Sequence, residues 1–350
     1  MQYLHPEMWS EISHHLSSED ITILCSSNRR ICGHILNRTT RLFYTKQVTR
    51  LSQGFPNLTT LICLHLKHGV NLTLLPDTLT ALSLHGDNKV TENDLCNLPP
   101  SLTYLRLGSN NNITDAGLAH LPGALTSLNL AGNNKITDEG LADLPRCLTY
   151  LNLRYNNRIT DAGLHNLPPS LTSLILCRNK NITNAGLLDL PPSLTHLDLS
   201  HNDNITDAGL RDLPPALTHL NLWCNNNITD DGVRDLPRSL THLDLEWNDK
   251  ITDLGVVGFP RDLTYLDLRR NNKITDAGVA GFPRSLTYLN LHSNHKMTDA
   301  GLSGLPRTLD YLDLRSNKNI TNVGVPDLPL TLRYLNSHPW KIEDKWCTPS

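Results

Sequence analysis

The stretch Leu102–Ala124, "LTYLRLGSNNNITDAGLAHLPGA", contains the pattern that decides the fold. Its first leucine has a counterpart every 23 residues from Leu79 to Leu332, without an insertion, and a shorter, degenerate repeat begins at Leu58. Self-similarity at a fixed period of this size is typical of a solenoid, in which each repeat buries its apolar face only against its neighbours. The sequence therefore predicts one elongated repeat array rather than two or three separate globules.

The first third of the repeat predicts a short strand. We number the places of each repeat from its first leucine, so that Leu102 is at place one. Leu105 and Leu107 alternate with Tyr104 and Arg106, which is the period of two that an extended segment requires. The leucines are expected to face a core, and the other two side chains to face water.

An asparagine follows each predicted strand at place nine. A stacked row of amides can donate and accept hydrogen bonds to backbone groups of the turn, so we expect an asparagine ladder. Only Asp87 deviates from a row formed by Asn110, Asn133, Asn156, Asn179, Asn202, Asn225, Asn248, Asn271, Asn294 and Asn317.

The last half of the repeat predicts a short helix. Thr114 is a good N-cap, and Asp115 follows it in the first turn, where the helix dipole favours a negative charge. Leu118 and Leu121 are spaced to face the core from a helix of barely two turns. Pro122 then ends the helix, because the residue before a proline avoids the α region.

This pattern, LxxLxLxxNxxI followed by a helical turn, resembles the leucine-rich repeat family. The "ITDAGL" part is similar to the repeats of intracellular cysteine-containing leucine-rich proteins, and "LPPSLTxL" resembles the bacterial type with Leu-Pro before the strand. The resemblance implies the α/β class: a leucine-rich repeat solenoid with a curved parallel β-sheet lining a concave surface and short helices on the convex side.

Composition limits the possible functions. The net charge is −3, which argues against nucleic-acid binding driven by bulk electrostatics. There is no long apolar run and no basic segment followed by an apolar one at the N-terminus, so we expect neither a membrane span nor export. The eight cysteines form no CxxC pair, which favours free thiols in a reducing compartment. The expected location is intracellular, cytoplasmic or nuclear.

Catalysis by this chain is not expected. Most polar residues are explained by their place in the repeat, and no P-loop, HExxH or GxSxG motif is present. A bacterial-type ubiquitin ligase with a catalytic cysteine would need a large helical domain after the repeats, but only a short tail follows them. We predict no cofactor.

The first 57 residues are not repeat and predict two or three helices. They resemble the F-box, a small helical domain, at positions Leu4, Glu7, Met8, Ile12, Leu16, Asp20, Ile21, Leu24, Arg29 and Arg30. His5, Asn28 and Ile31 depart from the F-box pattern. The resulting organisation is an F-box-like helical domain at 1–45, a connecting segment at 46–57, repeats at 58–336 and a C-terminal cap or tail at 337–350.

The F-box resemblance implies a function. F-box proteins with leucine-rich repeats are substrate-recognition subunits of cullin-type ubiquitin ligases. The F-box would dock on a Skp-type adaptor, here through Pro6, Ile12, Leu16 and Leu24, and the repeats would hold a protein target on the concave face. The alternative is a non-catalytic interaction scaffold whose N-terminus only caps the solenoid.

The target site is predicted where the repeat stops repeating. Places seven and eight carry no evident structural duty, yet along successive repeats they gather the residue types enriched at binding hot spots. The predicted target-binding residues are Arg154, Tyr155, Arg178, His201, Trp223, Trp247, Arg269 and Arg270. Arg269 and Arg270 would favour an acidic or phosphorylated segment. Random variation at unconstrained surface positions is the alternative explanation.

Three histidines at place three, His196, His219 and His242, stand on successive predicted strands. Adjacent strands would bring their rings close enough for a metal site to be conceivable. Because other repeats have tyrosine at this place, a surface ladder of planar side chains is the preferred interpretation, and no metal site is predicted.

Overall fold

The computed structural model describes residues 41–44, 58–64, 72–85 and 90–337. The chain divides into two blocks, Met1–Ile175 and Leu176–Ser350, which we call the N-terminal and C-terminal blocks. The F-box-like segment, with Pro6, Ile12, Leu16 and Leu24, and the C-terminal tail lie outside the described residues.

The described residues of the N-terminal block form seven parallel strands, hydrogen-bonded in chain order. Equivalent places of neighbouring repeats are paired, as for Leu105 and Leu128. The strands are β1 (Arg41–Tyr44), β2 (Thr60–Leu64), β3 (Ala81–His85), β4 (Tyr104–Arg106), β5 (Ser127–Asn129), β6 (Tyr150–Asn152) and β7 (Ser173–Ile175).

The C-terminal block continues the same pattern with seven more parallel strands. Here too the register is the repeat period, so that Leu220 pairs with Leu243. The strands are β8 (His196–Asp198), β9 (His219–Asn221), β10 (His242–Asp244), β11 (Tyr265–Asp267), β12 (Tyr288–Asn290), β13 (Tyr311–Asp313) and β14 (Tyr334–Asn336).

One short helical turn follows most of these strands. The α-helices are α1 (Glu92–Leu95), α2 (Asp115–Leu118), α3 (Asp138–Ala142), α4 (Asp161–Leu164), α5 (Asp207–Leu210), α6 (Asp230–Arg234), α7 (Asp253–Val257), α8 (Asp276–Val279) and α9 (Asp299–Leu302). Three further turns, Leu72–Leu74, Asn184–Leu187 and Asn322–Asp327, are 3₁₀-helices.

The helices are shorter than the sequence predicts. After Leu118 the backbone hydrogen bonds span three residues instead of four. The N–H of His120 donates to the carbonyl of Gly117 at 3.2 Å, and the N–H of Leu121 donates to the carbonyl of Leu118 at 3.2 Å. These bonds to the third residue back are characteristic of a 3₁₀ turn. Leu118 is fully buried, whereas Leu121 is half-buried.

The predicted leucine column is confirmed in each block. The place-four leucines are at most 2% exposed: Leu105, Leu128, Leu151 and Leu174 in the N-terminal block, and Leu197, Leu220 and Leu243 in the C-terminal block. On the opposite strand face Tyr104, at place three, is 39% exposed, as expected. Place five, also expected to face water, is buried in β11, β12 and β13, at Asp267, Asn290 and Asp313.

The predicted asparagine ladder is also confirmed. The side-chain nitrogen of Asn133 donates to the carbonyl of Leu107 at 3.1 Å, and its oxygen accepts from the N–H of Asn110 at 2.7 Å. Asn202 makes the same contacts to Leu176, at 3.0 Å, and to Asn179, at 2.8 Å. Each of these two amides therefore satisfies buried backbone groups of the preceding repeat. Further along the ladder only the donor side is kept: the nitrogens donate to the preceding repeat, but no described group donates to the oxygens of Asn248, Asn271, Asn294 and Asn317.

The Thr-Asp-x-Gly segment connects neighbouring repeats, which the sequence interpretation did not foresee. The Thr252 N–H and hydroxyl donate to the two carboxylate oxygens of Asp230, in the preceding repeat, at 2.7 and 2.6 Å. Gly255 packs against the same carboxylate, and a Cβ built on this glycine would lie 2.4 Å from Asp230 Oδ1. The glycine is required because no side chain fits beside the bonded aspartate.

We expect Leu151→Ala to destabilise the repeats by about 2–5 kcal/mol, because it leaves a cavity in a closely packed column. In a repeat protein, such a defect loosens the local repeat most. Amide hydrogen exchange should show reduced protection near residues 148–160. Protection that falls equally in all repeats, or not at all, would contradict a nearest-neighbour core.

We expect Gly255→Ala to lower the melting temperature clearly, because the added methyl group collides with the Asp230 carboxylate. Asp230→Ala alone removes two hydrogen bonds and should cost about 1–3 kcal/mol. Gly255→Ala should then cost much less in the Asp230→Ala background, a coupling that a double-mutant cycle measures. Gly123→Ala is the matched control, because its Cβ would meet no atom within 4 Å. Additive effects of the two changes would refute the steric explanation.

Candidate functional site

The turn after each strand places the residue at place eight in the left-handed region of backbone conformation. Its φ lies between 56° and 62° at Ser109, Tyr155, Arg178, His201, Cys224, Trp247, Arg270, Ser293 and Ser316, and is 75° at Gly132. Our expectation that this place has no structural duty is therefore wrong for the backbone. A non-glycine residue here costs about 1 kcal/mol or more. The turn leaves the side chain outside the core and free to vary.

Place seven is fixed by the strand that precedes it. Its N–H donates to the side-chain oxygen of the residue at place five, as from Trp223 to Asn221 at 2.9 Å and from Arg269 to Asp267 at 2.9 Å. The equivalent bond is donated by the backbone N–H groups of Ala131, Arg154, Ser200, Glu246, His292 and Arg315. The side chain at place five thus holds the turn that presents places seven and eight.

In the C-terminal block, Trp247 and Arg270 form one part of the predicted site. The guanidinium of Arg270 lies 4.3 Å from the centre of the Trp247 ring, a cation–π contact, and Trp247 is 40% exposed. They border an open groove of about 320 Å³ that is also lined by Asp249, Asn272, Ser293 and His295.

Places eight and ten of three successive repeats line this groove. Sequence reasoning missed Asp249, Asn272 and His295, all at place ten. The signal was present, because place ten varies among asparagine, aspartate, lysine and histidine along the C-terminal repeats. What the sequence lacked was the left-handed turn that brings places eight and ten to the same rim.

Arg178, His201 and Trp223 form a second part of the predicted site. Arg178 Nη2 lies 3.3 Å from His201 Nε2, and the His201 ring packs edge-on against Trp223, with centroids 4.3 Å apart. Trp223 is only partly exposed, and its indole nitrogen is buried without a hydrogen-bond partner in the described structure. Trp223 therefore supports His201, while Trp247 offers the larger free surface.

Arg269 is engaged within the chain. It forms ion pairs with Asp267 at 3.0 Å and with Glu246 at 2.7 Å. Its charge is thus already balanced within the chain, whereas Arg270, the other arginine expected to attract an acidic segment, is exposed.

Arg154 and Tyr155 lie in the N-terminal block. The Arg154 guanidinium is 4.9 Å from the centre of the Tyr155 ring, and Tyr155 is 38% exposed. This pair is a cation–π arrangement similar to that of Arg270 and Trp247.

The place-three histidines form a ring stack. Centroids of His196 and His219 are 4.0 Å apart, and those of His219 and His242 are 3.9 Å apart, with planes tilted by 15° in both pairs. Tyr265, Tyr288 and Tyr311 extend the stack, which confirms the surface ladder. Among the described residues no group of three or more histidine, cysteine or acidic side chains is arranged to hold a metal ion.

Crowding changes the acid–base behaviour of this face. Burial, together with the neighbouring His242 and His196, lowers the pKa of His219 to about 4. Burial and the adjacent Asp267 raise the pKa of Asp244 to about 7. The His219 imidazole is thus neutral near pH 7, and ionising the Asp244 carboxyl group near that pH costs more free energy than for an exposed aspartate.

The described cysteines, Cys96, Cys147, Cys177 and Cys224, are free thiols, as expected. Within the described ranges, every helix is too short or too polar to cross a membrane.

Two leucine-rich repeat family models match the chain. The first, described as Leucine Rich repeats (2 copies), matches residues 100–144 and 124–168, and the second, described as Leucine Rich repeat, matches 191–213, 215–236, 237–259, 260–282, 283–305 and 306–326. Together these matches span more than half of the sequence. No curated protein matches the chain significantly.

Solved structures share the fold. An internalin (inlF) from Listeria monocytogenes is 25% identical with a TM-score of 0.63, covering 86% of this chain and 87% of that one. The Rad7 and Elc1 complex from yeast is 17% identical with a TM-score of 0.55, covering 94% of this chain and 91% of that one. The Toll–Spatzle complex from Drosophila is 18% identical with a TM-score of 0.61, covering 88% of this chain and 44% of that one. With the strand register, the asparagine ladder and the family matches in agreement, the chain belongs to the leucine-rich repeat family.

Proposed function

We propose that this chain is a protein-binding scaffold that serves as the substrate-recognition subunit of a cullin-type ubiquitin ligase. The observation that carries the binding role is the groove beside Trp247 and Arg270. An exposed tryptophan with a stacked arginine, at the border of an open groove, has the composition of a binding hot spot.

The position of the groove supports a protein target rather than a small molecule. The groove is wide open, and polar side chains from three successive repeats line it, so that a ligand would contact several repeats at once. Enclosed, mostly apolar pockets are typical of small-molecule sites. An extended segment or an exposed loop of a protein fits an open surface of this kind.

The link to ubiquitin ligation rests on the sequence of residues 1–45. Leu4, Ile12, Leu16 and Leu24 are apolar at the spacing of the F-box helices, and leucine-rich repeats follow this segment. The proposal assigns Pro6, Ile12, Leu16 and Leu24 to contact with, or support of, the surface that meets a Skp-type adaptor. The alternative is a scaffold that binds the same target without recruiting a ligase.

We expect the double change Ile12→Asp and Leu16→Asp to abolish capture of a Skp-type adaptor and cullin by the full chain. Two buried charges in an apolar docking face cost far more than such a contact gains. Circular dichroism of the double variant should keep the signal of the repeats. Absence of adaptor and cullin from the wild-type pull-down as well would favour the scaffold alternative.

We expect Trp247→Ala to weaken target binding by about 2 kcal/mol, or roughly thirtyfold in Kd. Binding would be measured on a partner first identified by crosslinking to the full chain. Asp235→Ala is the control, because Asp235 lies among the helical turns and forms only an exposed ion pair with Arg211 at 3.5 Å. Equal losses in both variants would place the target elsewhere.

A further inference from the structure

Two repeats of the C-terminal block contain a complete ion pair on the strand face opposite the leucine column. Arg269 Nε lies 3.1 and 3.0 Å from the two carboxylate oxygens of Asp267, and Arg315 Nε lies 3.0 Å from both oxygens of Asp313. The aspartates are 1% and 0% exposed. In each case the carboxylate at place five is balanced by the arginine at place seven of the same repeat.

The repeat that begins at Leu240 lacks this arginine. Asp244 occupies place five, but Glu246 occupies place seven and pairs with Arg269 of the next repeat at 2.7 Å. Asp244 accepts the N–H of Glu246 at 2.9 Å, and no ion pair to it is formed by any described residue. The Asp244 carboxylate is therefore equivalent to Asp267 and Asp313, without the guanidinium that both of them contact.

The surroundings of Asp244 increase the need for a cation. Across the strand pairing it faces Asp267 on β11 and the neutral Asn221 on β9. Its other titratable neighbours are the stacked His242 on β10, Tyr265 on β11, and Glu246 just after β10, and Arg269 is the nearby positive charge. A partly buried carboxylate next to like charges is unfavourable unless an opposite charge approaches it.

The histidine row beside Asp244 also offers acceptors. The Thr218 hydroxyl lies 3.0 Å from the carbonyl of Thr195 and 2.9 Å from His219 Nδ1, and its single hydrogen can be donated to only one of them. The same argument applies to Thr241 and His242 Nδ1 at 2.9 Å. In either arrangement each neutral ring has one nitrogen without a hydrogen, and that nitrogen can accept a hydrogen bond.

The strand face as a whole carries a net negative charge, like the surroundings of Asp244. Places three, five and seven of the described C-terminal repeats carry five carboxylates, Asp198, Asp244, Glu246, Asp267 and Asp313, against two guanidinium groups, Arg269 and Arg315. Both guanidinium groups already contact these carboxylates. The face is acceptor-rich and negative, so its complement is a donor-rich, positively charged group.

We propose that the strand face around Asp244, His219 and His242 docks an arginine-bearing segment of the protein partner, whose guanidinium takes the position that Arg269 and Arg315 take in their own repeats. This inference rests on the proposed function, since it specifies the chemistry of the protein target. An arginine suits the site better than a lysine, because its planar fork can contact a carboxylate with two donors, as Arg269 does. An acidic residue of the same partner would be placed at Arg270, on the rim.

The test uses the full chain and a fluorescent peptide of twelve residues that alternates arginine and serine, with fluorescence polarisation at pH 8. Glu246→Arg supplies the missing internal cation by copying the repeat of Asp267 and Arg269, and Asp244→Asn removes the charge. Each should weaken peptide binding by about tenfold or more, the loss expected for one charge-assisted hydrogen-bonded contact.

Asp212→Arg is the matched control, because it reverses one charge in the same block at an exposed position following α5. It should change affinity by about twofold or less, as expected for a screened, distant charge. Equal losses in Asp212→Arg and Glu246→Arg would show bulk attraction only and overturn the proposal. Unchanged binding in Glu246→Arg, or equal binding of a glutamate–serine peptide, would also overturn it.

A pH series adds a readout that a purely structural role of Asp244 would not give. Burial and Asp267 raise the pKa of Asp244 to about 7, so the ionised form that attracts arginine becomes populated as pH rises through 7. Wild-type affinity should increase from pH 6 to pH 8, and Asp244→Asn should flatten the profile. If the wild-type chain captures the adaptor but does not bind the arginine peptide, this inference alone is rejected. If it binds the peptide but does not capture the adaptor, only the ligase role is rejected.

Discussion

The contact between a threonine, the aspartate of the preceding repeat and a glycine is the constraint on which the repeat architecture depends. Thr275 donates two hydrogen bonds to Asp253, at 2.8 and 2.6 Å, and Gly278 leaves room for the same carboxylate, which a Cβ would approach to 2.3 Å. The bond sets the separation of helical turns, while the strand ladder sets the separation of strands. The separation of the strands and the separation of the helical turns are therefore each fixed once per repeat. An insertion within a repeat would break one of these two sets of contacts, and the period of the sequence stays constant.

The left-handed turn shows how such a rigid framework can carry a variable surface. Its backbone is the same at Ser109, with φ of 60°, and at Trp247, with φ of 59°. Glycine would occupy this turn with less strain, as Gly132 does, so every larger residue there lowers stability slightly. Stability and recognition therefore make opposite demands on place eight. The core does not change when this side chain changes, which separates the binding chemistry from the fold.

Much of the fold could be predicted from the sequence, because its determinants are periodic. Leu151 and Asn133 recur in register, and both are buried where the pattern places them. The contacts that were missed join residues that the linear pattern treats as local. Asp115 was interpreted as a first-turn residue favoured by the helix dipole, yet it binds Thr137 one repeat later. Likewise, the neutralisation of Arg269 depends on Glu246 across the strand register, and charge preferences cannot be assigned before that register is known.

The stacked imidazoles have a consequence for how this surface takes up protons. Neighbouring rings are about 4 Å apart, so a charge on one ring opposes a charge on the next. His219 has an imidazole on both sides and resists protonation more strongly than a solitary surface histidine would. Burial and the neighbouring imidazoles lower the pKa of both His219 and His242, so these two rings take up a proton at a lower pH than an isolated imidazole would. Mild acidification therefore leaves the His219 ring neutral, and the charge of this strand face changes first at Asp244, whose pKa is raised to about 7 by burial and Asp267.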